Sequence, residues 1–427
     1  GCQELPGPTQ CCELCASNWP QCLSWQFIKE GNAGNGYPGM SFYCCLKGSF
    51  RPDPLTASYC DSGYQDSQCT LTSECTVYVT GSGLETTDSV LVVAATSCGA
   101  GSSAVAAWPG IENPKTATSV SATRGDFAVG KALTGEVAEY ALCYHKGPGN
   151  ASDYTTRVGA FTMRGPTRSH TLNCTLGAEC RIHIPGVALR SDPARYHLLL
   201  VEDSGAGMPC TAGATPAVFQ DLQNPDSVED NNDDDTFAMG TPRKGDTLTR
   251  YAACWANDPS SLADYTHHVG SFTMIGPTET SQTCIMGLEC NVSLRGTGFT
   301  GANAVLVGVG AFVDLCRYLL NSLAADFGAS FASPKRVTSV APYDNYSLGR
   351  ALFAHDNAPG SDYRLCWSVA PTLEPPAKEV ADYQIDTGSF TLHGPVLADQ
   401  RCTLTLPCEL SLTGSGLDTM DYAVMVV

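Results

Sequence analysis

The sequence carries little positive charge. Its 427 residues include 24 Lys and Arg against 43 Asp and Glu, so the formal net charge is −19. Nucleic acids and acidic membranes are bound by cationic faces, so this balance argues against both kinds of partner. An anionic surface of this size instead resists non-specific association and attracts cations such as Ca²⁺.

Long apolar runs and targeting segments are also missing. The longest apolar stretch, residues 302–313, is interrupted by Gly308 and Gly310 and is too short to span a membrane. The chain opens at Gly1 with neither Met nor an apolar leader, which predicts that a signal peptide has been removed, and it ends without an anchor. We therefore expect no insertion into a membrane.

Motifs that carry catalysis are absent as well. No Gly-x-Ser-x-Gly, His-Glu-x2-His or Walker loop occurs. Residues 386–389 spell the Asp-Thr-Gly-Ser of aspartic proteases, but that chemistry needs two facing copies and the sequence has one. His267 and His268 lie on one predicted strand, so their rings point to opposite faces and cannot chelate a metal together. We expect no enzyme and no cofactor.

Cysteine, by contrast, is abundant. The 22 cysteines are even in number and do not form the closely spaced pairs of a zinc framework, and the eight His are scattered. Disulfide bonds in an oxidising compartment explain such a set better than reduced thiols in the cytosol. The composition therefore predicts a secreted protein that lies outside the cell or at its surface.

The strongest positive signal is an internal repeat. The motif Cys-x5-Cys, followed by alternating residues and a Gly, begins at Cys69, Cys174, Cys284 and Cys402. These cysteines are 105, 110 and 118 residues apart (174−69, 284−174 and 402−284). Such a period is the size of one β-sandwich domain and is too long for a solenoid repeat.

Other landmarks return in the same order within each period. They are an apolar run, a third cysteine, a Pro turn, a Tyr-x2-Cys-aromatic step and a closing Asp-Tyr strand that ends in Gly-Pro. Alternation of apolar and polar residues, as in residues 76–79, is typical of half-buried strands. The pattern predicts a mainly all-β chain of tandem immunoglobulin-like β-sandwiches. Short junctions that contain Pro favour a stiff rod.

These landmarks divide the chain into five segments. A cysteine-rich α+β module is predicted at residues 1–65, and repeats 1, 2 and 3 are predicted at 66–168, 169–279 and 280–397. Residues 398–427 form an incomplete repeat 4, because the sequence stops within its second strand.

Four cysteines in each full repeat allow three pairings. We favour first with second and third with fourth, because repeat 4 holds only the first two cysteines and these can close locally. The predicted bridges are Cys69–Cys75, Cys98–Cys143, Cys174–Cys180, Cys210–Cys254, Cys284–Cys290, Cys316–Cys366 and Cys402–Cys408. Pairing of second with fourth, which would resemble the staple between the sheets of immunoglobulin domains, remains an alternative.

The N-terminal module has a pattern of its own. Residues 10–15 predict a short helix that leads into a strand at 22–27, and residues 42–47 predict the partner strand. These segments resemble the PAN/apple family, which implies a module that binds proteins or carbohydrate. The module has eight cysteines, and the extra ones depart from that family, so its disulfide pairing is not transferred. A module that only caps repeat 1 is the alternative.

The tandem units, with Cys-x5-Cys, Gly-x-Gly and the closing Gly-Pro, resemble immunoglobulin-like or TIG-like extracellular repeats. They are similar to those of surface and flagellar-hair (mastigoneme-type) glycoproteins of unicellular eukaryotes. This resemblance implies a structural role outside the cell.

Three further motifs are candidate sites. Asn-x-Ser/Thr sequons predict N-linked glycans at Asn150, Asn173, Asn291 and Asn345, and frequent Ser and Thr leave room for O-linked glycans. Residues 124–126 spell Arg-Gly-Asp, but repeat alignment favours a turn-forming role for Asp126 over adhesion. The acidic run at 226–235 is interpreted as a solvated loop. Ca²⁺ binding there is the weaker alternative, since no EF-hand spacing is present.

We therefore expect an extracellular structural glycoprotein, a subunit of a fibril, filament or surface coat. The alternative is an adhesin or receptor ectodomain that binds protein or carbohydrate through the N-terminal module. The strand predicted at 421–427 leaves an open edge in repeat 4. The favoured alternative is that the native chain continues and completes repeat 4. The other is that a second subunit adds the missing strands by β-augmentation, which predicts head-to-tail self-association.

Overall fold

The computed structural model describes the backbone of residues 2–4, 24–29, 42–47 and 60–62 and most of residues 65–421. The described part omits 96, 100–104, 190–194, 206, 229–234, 311–314, 319–323, 341–343, 358, 372–379 and 420. Almost all regular structure is β-strand, which confirms the predicted fold class. The chain divides into two compact units, Gly1–Gly165 and Pro166–Val427.

The N-terminal strands form one antiparallel sheet in the order β1-β3-β2-β4. Their bounds are β1 Cys2–Glu4, β2 Ser24–Lys29, β3 Phe42–Lys47 and β4 Cys60–Ser62. The predicted pairing of β2 with β3 is confirmed, with Phe27 opposite Cys44. The helix predicted at 10–15 lies outside the described residues.

Repeat 1 contains two sheets. Its strands are β5 Gln65–Thr70, β6 Glu74–Thr80, β7 Ser89–Val93, β8 Lys115–Thr116, β9 Ser119–Val120, β10 Arg124–Lys131, β11 Glu139–His145 and β12 Thr156–Pro166. The larger sheet has the order β5-β12-β11-β7-β8, with β5 parallel to β12. The smaller sheet has the order β6-β10-β9. A 3₁₀ turn at Ala151–Asp153 precedes β12.

Repeat 2 reproduces this arrangement. Its strands are β13 His170–Thr175, β14 Cys180–Ile184, β15 Gly186–Val187, β16 Tyr196–Glu202, β17 Gln220–Leu222, β18 Asp226–Ser227, β19 Asp235–Lys244, β20 Tyr251–Asn257 and β21 His267–Pro277. The larger sheet is β13-β21-β20-β16-β18, and the smaller is β14-β19-β17. A 3₁₀ turn at Leu262–Asp264 again precedes the last strand.

Repeat 3 has the same order, and repeat 4 adds one short strand. The strands are β22 Gln282–Ile285, β23 Glu289–Leu294, β24 Gly296–Thr297, β25 Ala304–Val309, β26 Lys335–Arg336, β27 Asp344–Arg350, β28 Gly360–Ser368, β29 Ile385–Pro395 and β30 Gly414–Ser415. The sheets are β22-β29-β28-β25-β26 and β23-β27. The 3₁₀ turns are Leu315–Tyr318, His355–Asn357 and Val380–Asp382.

Burial along the strands follows the sequence pattern. In β6, β14 and β23 every second side chain is buried, as expected for strands with one face in the core. The continuous apolar runs of β7 and β25 are instead buried on both faces. The larger sheet is therefore covered on both sides.

A disulfide helps to cover the outer face of each larger sheet. In repeat 2, Cys254 packs with Leu199, Val201 and Tyr265, and Cys210 lies against the same cluster. Repeats 1 and 3 contain equivalent clusters around Cys143 and Cys366. The Tyr of the closing Asp-Tyr motif thus belongs to a small second core.

Candidate functional site at the junction of repeats 2 and 3

The end of β21 joins repeat 2 to repeat 3 through the main chain. Gly276 pairs with Thr297 and Pro277 pairs with Gly296, so the Gly-x-Gly motif of repeat 3 lies on the Gly-Pro end of repeat 2. A Cβ added at Gly296 would collide with the carbonyl oxygen of Gly276. The Thr278 N–H also donates to the Arg295 carbonyl, at 2.8 Å. Only glycine permits this close approach.

The same joint recurs between repeats 3 and 4. Gly394 pairs with Ser415 and Pro395 pairs with Gly414. A side chain at Gly414 would again meet the preceding carbonyl oxygen. At the junctions of repeats 2 and 3 and of repeats 3 and 4, the Gly-Pro motif of one repeat therefore pairs with the Gly-x-Gly motif of the next.

Arg243 is the centre of a side-chain network across the junction of repeats 2 and 3. Its Nε and Nη2 donate to Gln384 Oε1 of repeat 3 at 3.2 and 3.0 Å. Its Nη1 donates to Asp221 Oδ2 of repeat 2 at 2.8 Å. Arg317 of repeat 3 reaches the same Asp221 oxygen at 3.4 Å. One carboxylate thus holds a guanidinium from each repeat.

Apolar contact supports this network. The Gly177 N–H donates to the Pro242 carbonyl at 2.7 Å, which places the cysteine loop of repeat 2 beside the loop after β19. A Cβ added at Gly177 would lie 3.2 Å from Ile385 Cγ1, so β29 of repeat 3 covers this loop.

A groove of about 570 Å³ lies beside the network. Its apolar lining includes Leu176, Val218, Pro277 and Ile385. Two of its charged side chains form an ion pair, with Lys244 Nζ 2.8 Å from Glu279 Oε2. A third, the Asp246 carboxylate, accepts a hydrogen bond from the Thr249 hydroxyl, which lowers its pKa. Since the cations named here face carboxylate or amide oxygens, the arrangement is suited to holding two repeats in a fixed orientation.

Comparisons with known proteins add no family. No protein-family model matches the chain, and no curated protein matches it.

The disulfides follow the pairing that the truncated repeat favoured. Cys69–Cys75, Cys98–Cys143, Cys174–Cys180, Cys210–Cys254, Cys284–Cys290, Cys316–Cys366 and Cys402–Cys408 are bonded. The alternative bridge between second and fourth cysteines is not formed, because the fourth cysteine faces the outer cluster of the larger sheet. The eight cysteines of the N-terminal module lie outside the residues whose side chains are described.

The protease-like tetrapeptide lies in β29. Arg364 binds Asp386 through Nε and Nη2, with the shortest distance 2.7 Å, and both side chains are largely buried. Gly388 has φ +126°, and a Cβ there would lie 2.8 Å from the Thr280 carbonyl oxygen. Asp386 therefore forms an ion pair with Arg364. Because Gly388 has no side chain, the segment before β22 can lie close to β29 at this point.

The adjacent histidines point in different directions, as predicted. His267 is fully buried, and its Nε2 lies 3.1 Å from the carbonyl oxygen of Pro166. Burial lowers its pKa to about 4, so the ring is neutral and donates this bond. His268 is half-buried, with Nε2 3.1 Å from the Gly270 carbonyl oxygen, and burial also lowers its pKa.

The Arg-Gly-Asp tripeptide lies within β10 and not in the turn that we expected for Asp126. Arg124 and Asp126 are two residues apart, so both side chains project from one face of the strand and form an ion pair at 2.5 Å. Arg124 also lies over the ring of Tyr78, at 4.4 Å, and the Ser119 hydroxyl donates to Asp126. Hydrogen bonding by Arg124 lowers the pKa of the Asp126 carboxyl.

The sequons differ in exposure. Asn150, Asn173 and Asn291 are exposed, whereas Asn345 is half-buried on β27. The Ser293 hydroxyl donates to Asn345 Oδ1 at 2.5 Å, and Asn345 Nδ2 donates to the Ser339 hydroxyl at 3.1 Å.

The acidic run and the end of repeat 4 are mostly outside the described structure. Residues 229–234 and 422–427 are not described, and the second range includes most of the strand predicted at 421–427. Within the described residues, no group of three or more His, Cys, Asp or Glu side chains is arranged to hold a metal. No helix in the same part of the chain is long and apolar enough to cross a membrane.

The tyrosines of the Tyr-x2-Cys-aromatic step, Tyr140, Tyr251 and Tyr363, are buried in the core. Tyr251 packs edge-on against Phe219 and Phe272, with ring centroids 5.0 and 6.3 Å away. Burial raises its pKa to about 12, and its hydroxyl donates to the Asp246 carbonyl at 2.8 Å. Equivalent triads form around Tyr140 and Tyr363.

Sequence reasoning missed a clamp before each Pro turn. Asn224 Oδ1 accepts from the Leu200 N–H at 2.8 Å, and its Nδ2 donates to the carbonyls of Leu200 and Ala217 at 2.8 and 2.9 Å. Asn113 makes the same three bonds in repeat 1. In repeat 3, the Ser333 hydroxyl accepts the corresponding bond from the strand, from the Val307 N–H at 2.9 Å. The Asn-Pro dipeptide, present in two repeats, was the available signal.

Proposed function

We propose that the chain is an extracellular structural glycoprotein, a subunit of a fibril, filament or surface coat. Its repeats are immunoglobulin-like, the junctions of repeat 3 with repeats 2 and 4 are fixed, and the N-terminal module resembles the PAN/apple family.

The observation that carries this proposal is the repeated joint. The pairings of β21 with β24 and of β29 with β30 use the same two motifs in the same register. At the first of these joints the Arg243 network adds side-chain bonds from repeat to repeat. A chain that carries force benefits from such fixed junctions, whereas a flexible tether needs none.

An oxidising environment accounts for the seven bridges of the repeats and is compatible with the exposed sequons. The net charge of −19 keeps isolated chains soluble until a specific contact joins them.

Electron microscopy of material isolated from its source tests the assembly. We expect linear or helical filaments with a repeat spacing along their length. A population of dispersed single chains at all concentrations would contradict the proposal.

Small-angle scattering of the full chain tests the stiffness separately. Arg243→Ala removes the bonds to Gln384 and Asp221, so the distribution of distances between repeats should broaden. Arg350→Ala is the matched control, because Arg350 pairs with Glu289 within repeat 3. Identical scattering curves for the wild type and both variants would show that the Arg243 network does not fix the junction of repeats 2 and 3.

A further inference from the structure

Strand β6 is the outer strand of the smaller sheet of repeat 1, which has the order β6-β10-β9. The Gly81 N–H, just after β6, donates to the Thr123 carbonyl at 3.0 Å, so residues 77 and 79 also direct their main-chain groups to β10. Thr76 and Tyr78 alternate with them and direct theirs to the opposite side. Among the described residues, no strand pairs with β6 on that side. We call Thr76 and Tyr78 the edge residues of β6.

The other repeats carry different residues at the same two positions, which are the first and third after the second cysteine. These residues are Arg181 and His183 in repeat 2, Asn291 and Ser293 in repeat 3, and Glu409 and Ser411 in repeat 4. Charged side chains protect an open strand from pairing with another chain, and the glycan predicted at the Asn291 sequon does so by its bulk. Repeat 1 instead has Thr and Tyr, which favour strand pairing.

Most of β6 carries no charge. Residues 75–80 contain no charged side chain, although the whole chain has a net charge of −19. Two charges of the neighbouring strand β10 form a neutral pair, because Arg124 lies 2.5 Å from Asp126 as well as over the Tyr78 ring. Two copies of so acidic a chain repel each other, so a contact between them is favoured where neither copy presents a carboxylate. A second copy therefore fits this edge by its own uncharged strand.

We propose that β6 is the docking edge for β6 of a second copy of this chain, in an antiparallel pair with Val77 at the two-fold axis. In this register Thr76 lies opposite Tyr78 of the second copy, and the two residues exchange both main-chain hydrogen bonds. Symmetry repeats the exchange, so the two smaller sheets become one continuous sheet. Glu74 lies opposite Thr80, so like charges do not face each other. The pair is closed, and it does not depend on the proposed filament.

Sedimentation velocity of the full chain over a range of concentrations tests the proposal. We expect a reversible equilibrium between monomer and dimer. Thr76→Pro removes an N–H that points away from β10, so repeat 1 keeps its own sheet while the dissociation constant rises by about tenfold or more. Arg181→Pro is the matched control, because it makes the same change at the equivalent position of repeat 2. It should leave the dissociation constant within about twofold of the wild-type value.

Amide exchange in the wild type is a second measurement that needs no variant. In the concentration range of the dimer, exchange at Thr76 and Tyr78 should slow by about tenfold or more, whereas exchange at Val77 and Val79 should not change, because their main-chain groups already face β10.

Four results would overturn the proposal. They are a chain that stays monomeric up to about 100 μM, a dimer that Thr76→Pro does not weaken, a dimer in which the edge residues of β6 exchange as fast as in the monomer, and open-ended assembly without a discrete dimer. The first would leave the edge to a different protein, and the second and third would place the contact between copies on another surface.

Discussion

Single side chains connect distant segments within each repeat, and Asn224 is the clearest case. Its side-chain amide bonds to the N–H and carbonyl of Leu200 and to the carbonyl of Ala217. One side chain thus links two separate segments of the main chain. Ser333 occupies this position in repeat 3 and accepts a hydrogen bond from the Val307 N–H, so a smaller polar residue also serves there.

Asn224→Ala should lower the free energy of unfolding by about 2–3 kcal/mol, since three partly buried hydrogen bonds are lost at about 1 kcal/mol each. Urea denaturation followed by tryptophan fluorescence measures this change. The neighbouring exposed residue provides the control: Gln223→Ala should change stability by less than about 0.5 kcal/mol. Equal effects of the two substitutions would show that the clamp adds nothing.

His267 should make stability depend on pH. Its pKa is about 4 in the folded chain and near its ordinary value when unfolded, so between these values the unfolded state binds more protons. Stability therefore falls as pH drops from 6.5 to 4, by roughly 3 kcal/mol at about 1.4 kcal/mol per unit. In His267→Gln this component is absent, so the unfolding free energy should vary less with pH. Identical pH profiles would contradict the assignment.

At the scale of elements, the parallel pairing of first and last strands and the glycine joints organise the repeats. The strand that opens each full repeat runs parallel to the strand that closes it, as β13 does with β21. The closing strand then extends into the joint with the following repeat. One long strand thus serves two repeats.

Gly296→Ala should break the joint between repeats 2 and 3, because the added methyl group collides with the Gly276 carbonyl. Amide exchange at Thr278 should accelerate by at least tenfold in hydrogen–deuterium exchange. Gly81 is the matched control, since it occupies the same motif position in repeat 1. Among the described residues, the atoms nearest to a Cβ there belong to the Leu84 side chain, at 3.8 Å, which is ordinary van der Waals contact. Gly81→Ala should leave exchange at Thr278 unchanged, and an equal increase would contradict the joint.

At the scale of the whole molecule, glycans should mark surfaces that stay in contact with solvent. We expect occupancy at the exposed Asn150 and Asn291, and much lower occupancy at Asn345, whose amide is bonded to Ser293 and Ser339. Mass spectrometry of native material should show that Asn291→Gln removes one glycan mass and that Asn345→Gln changes none. Full occupancy at Asn345 would contradict this prediction, because its hydrogen bonds to Ser293 and Ser339 would then not protect the amide from modification.

Much of the fold was predictable because it depends on local pattern. Alternation in residues 76–79 predicted β6, in which every second side chain is buried. The cysteine pair of the truncated repeat favoured the short bridge. Asp126 was placed in a turn because alignment shows residue type and not strand register, and its place in β10 depends on pairing with β6 and β9.

The sequence by itself determined the all-β class, the repeat period and the preferred cysteine pairs, since these depend on side-chain alternation and on short separations along the chain. Only the tertiary structure decided how the repeats are joined. Arg243 and Gln384 are 141 residues apart, and their contact exists because two repeats meet at a particular angle. Likewise, Gly296 and Gly81 occupy the same motif position, and it is the Gly276 carbonyl of the preceding repeat that an added Cβ at Gly296 would meet first. Such contacts depend on the relative placement of folded units, which no short stretch of sequence encodes.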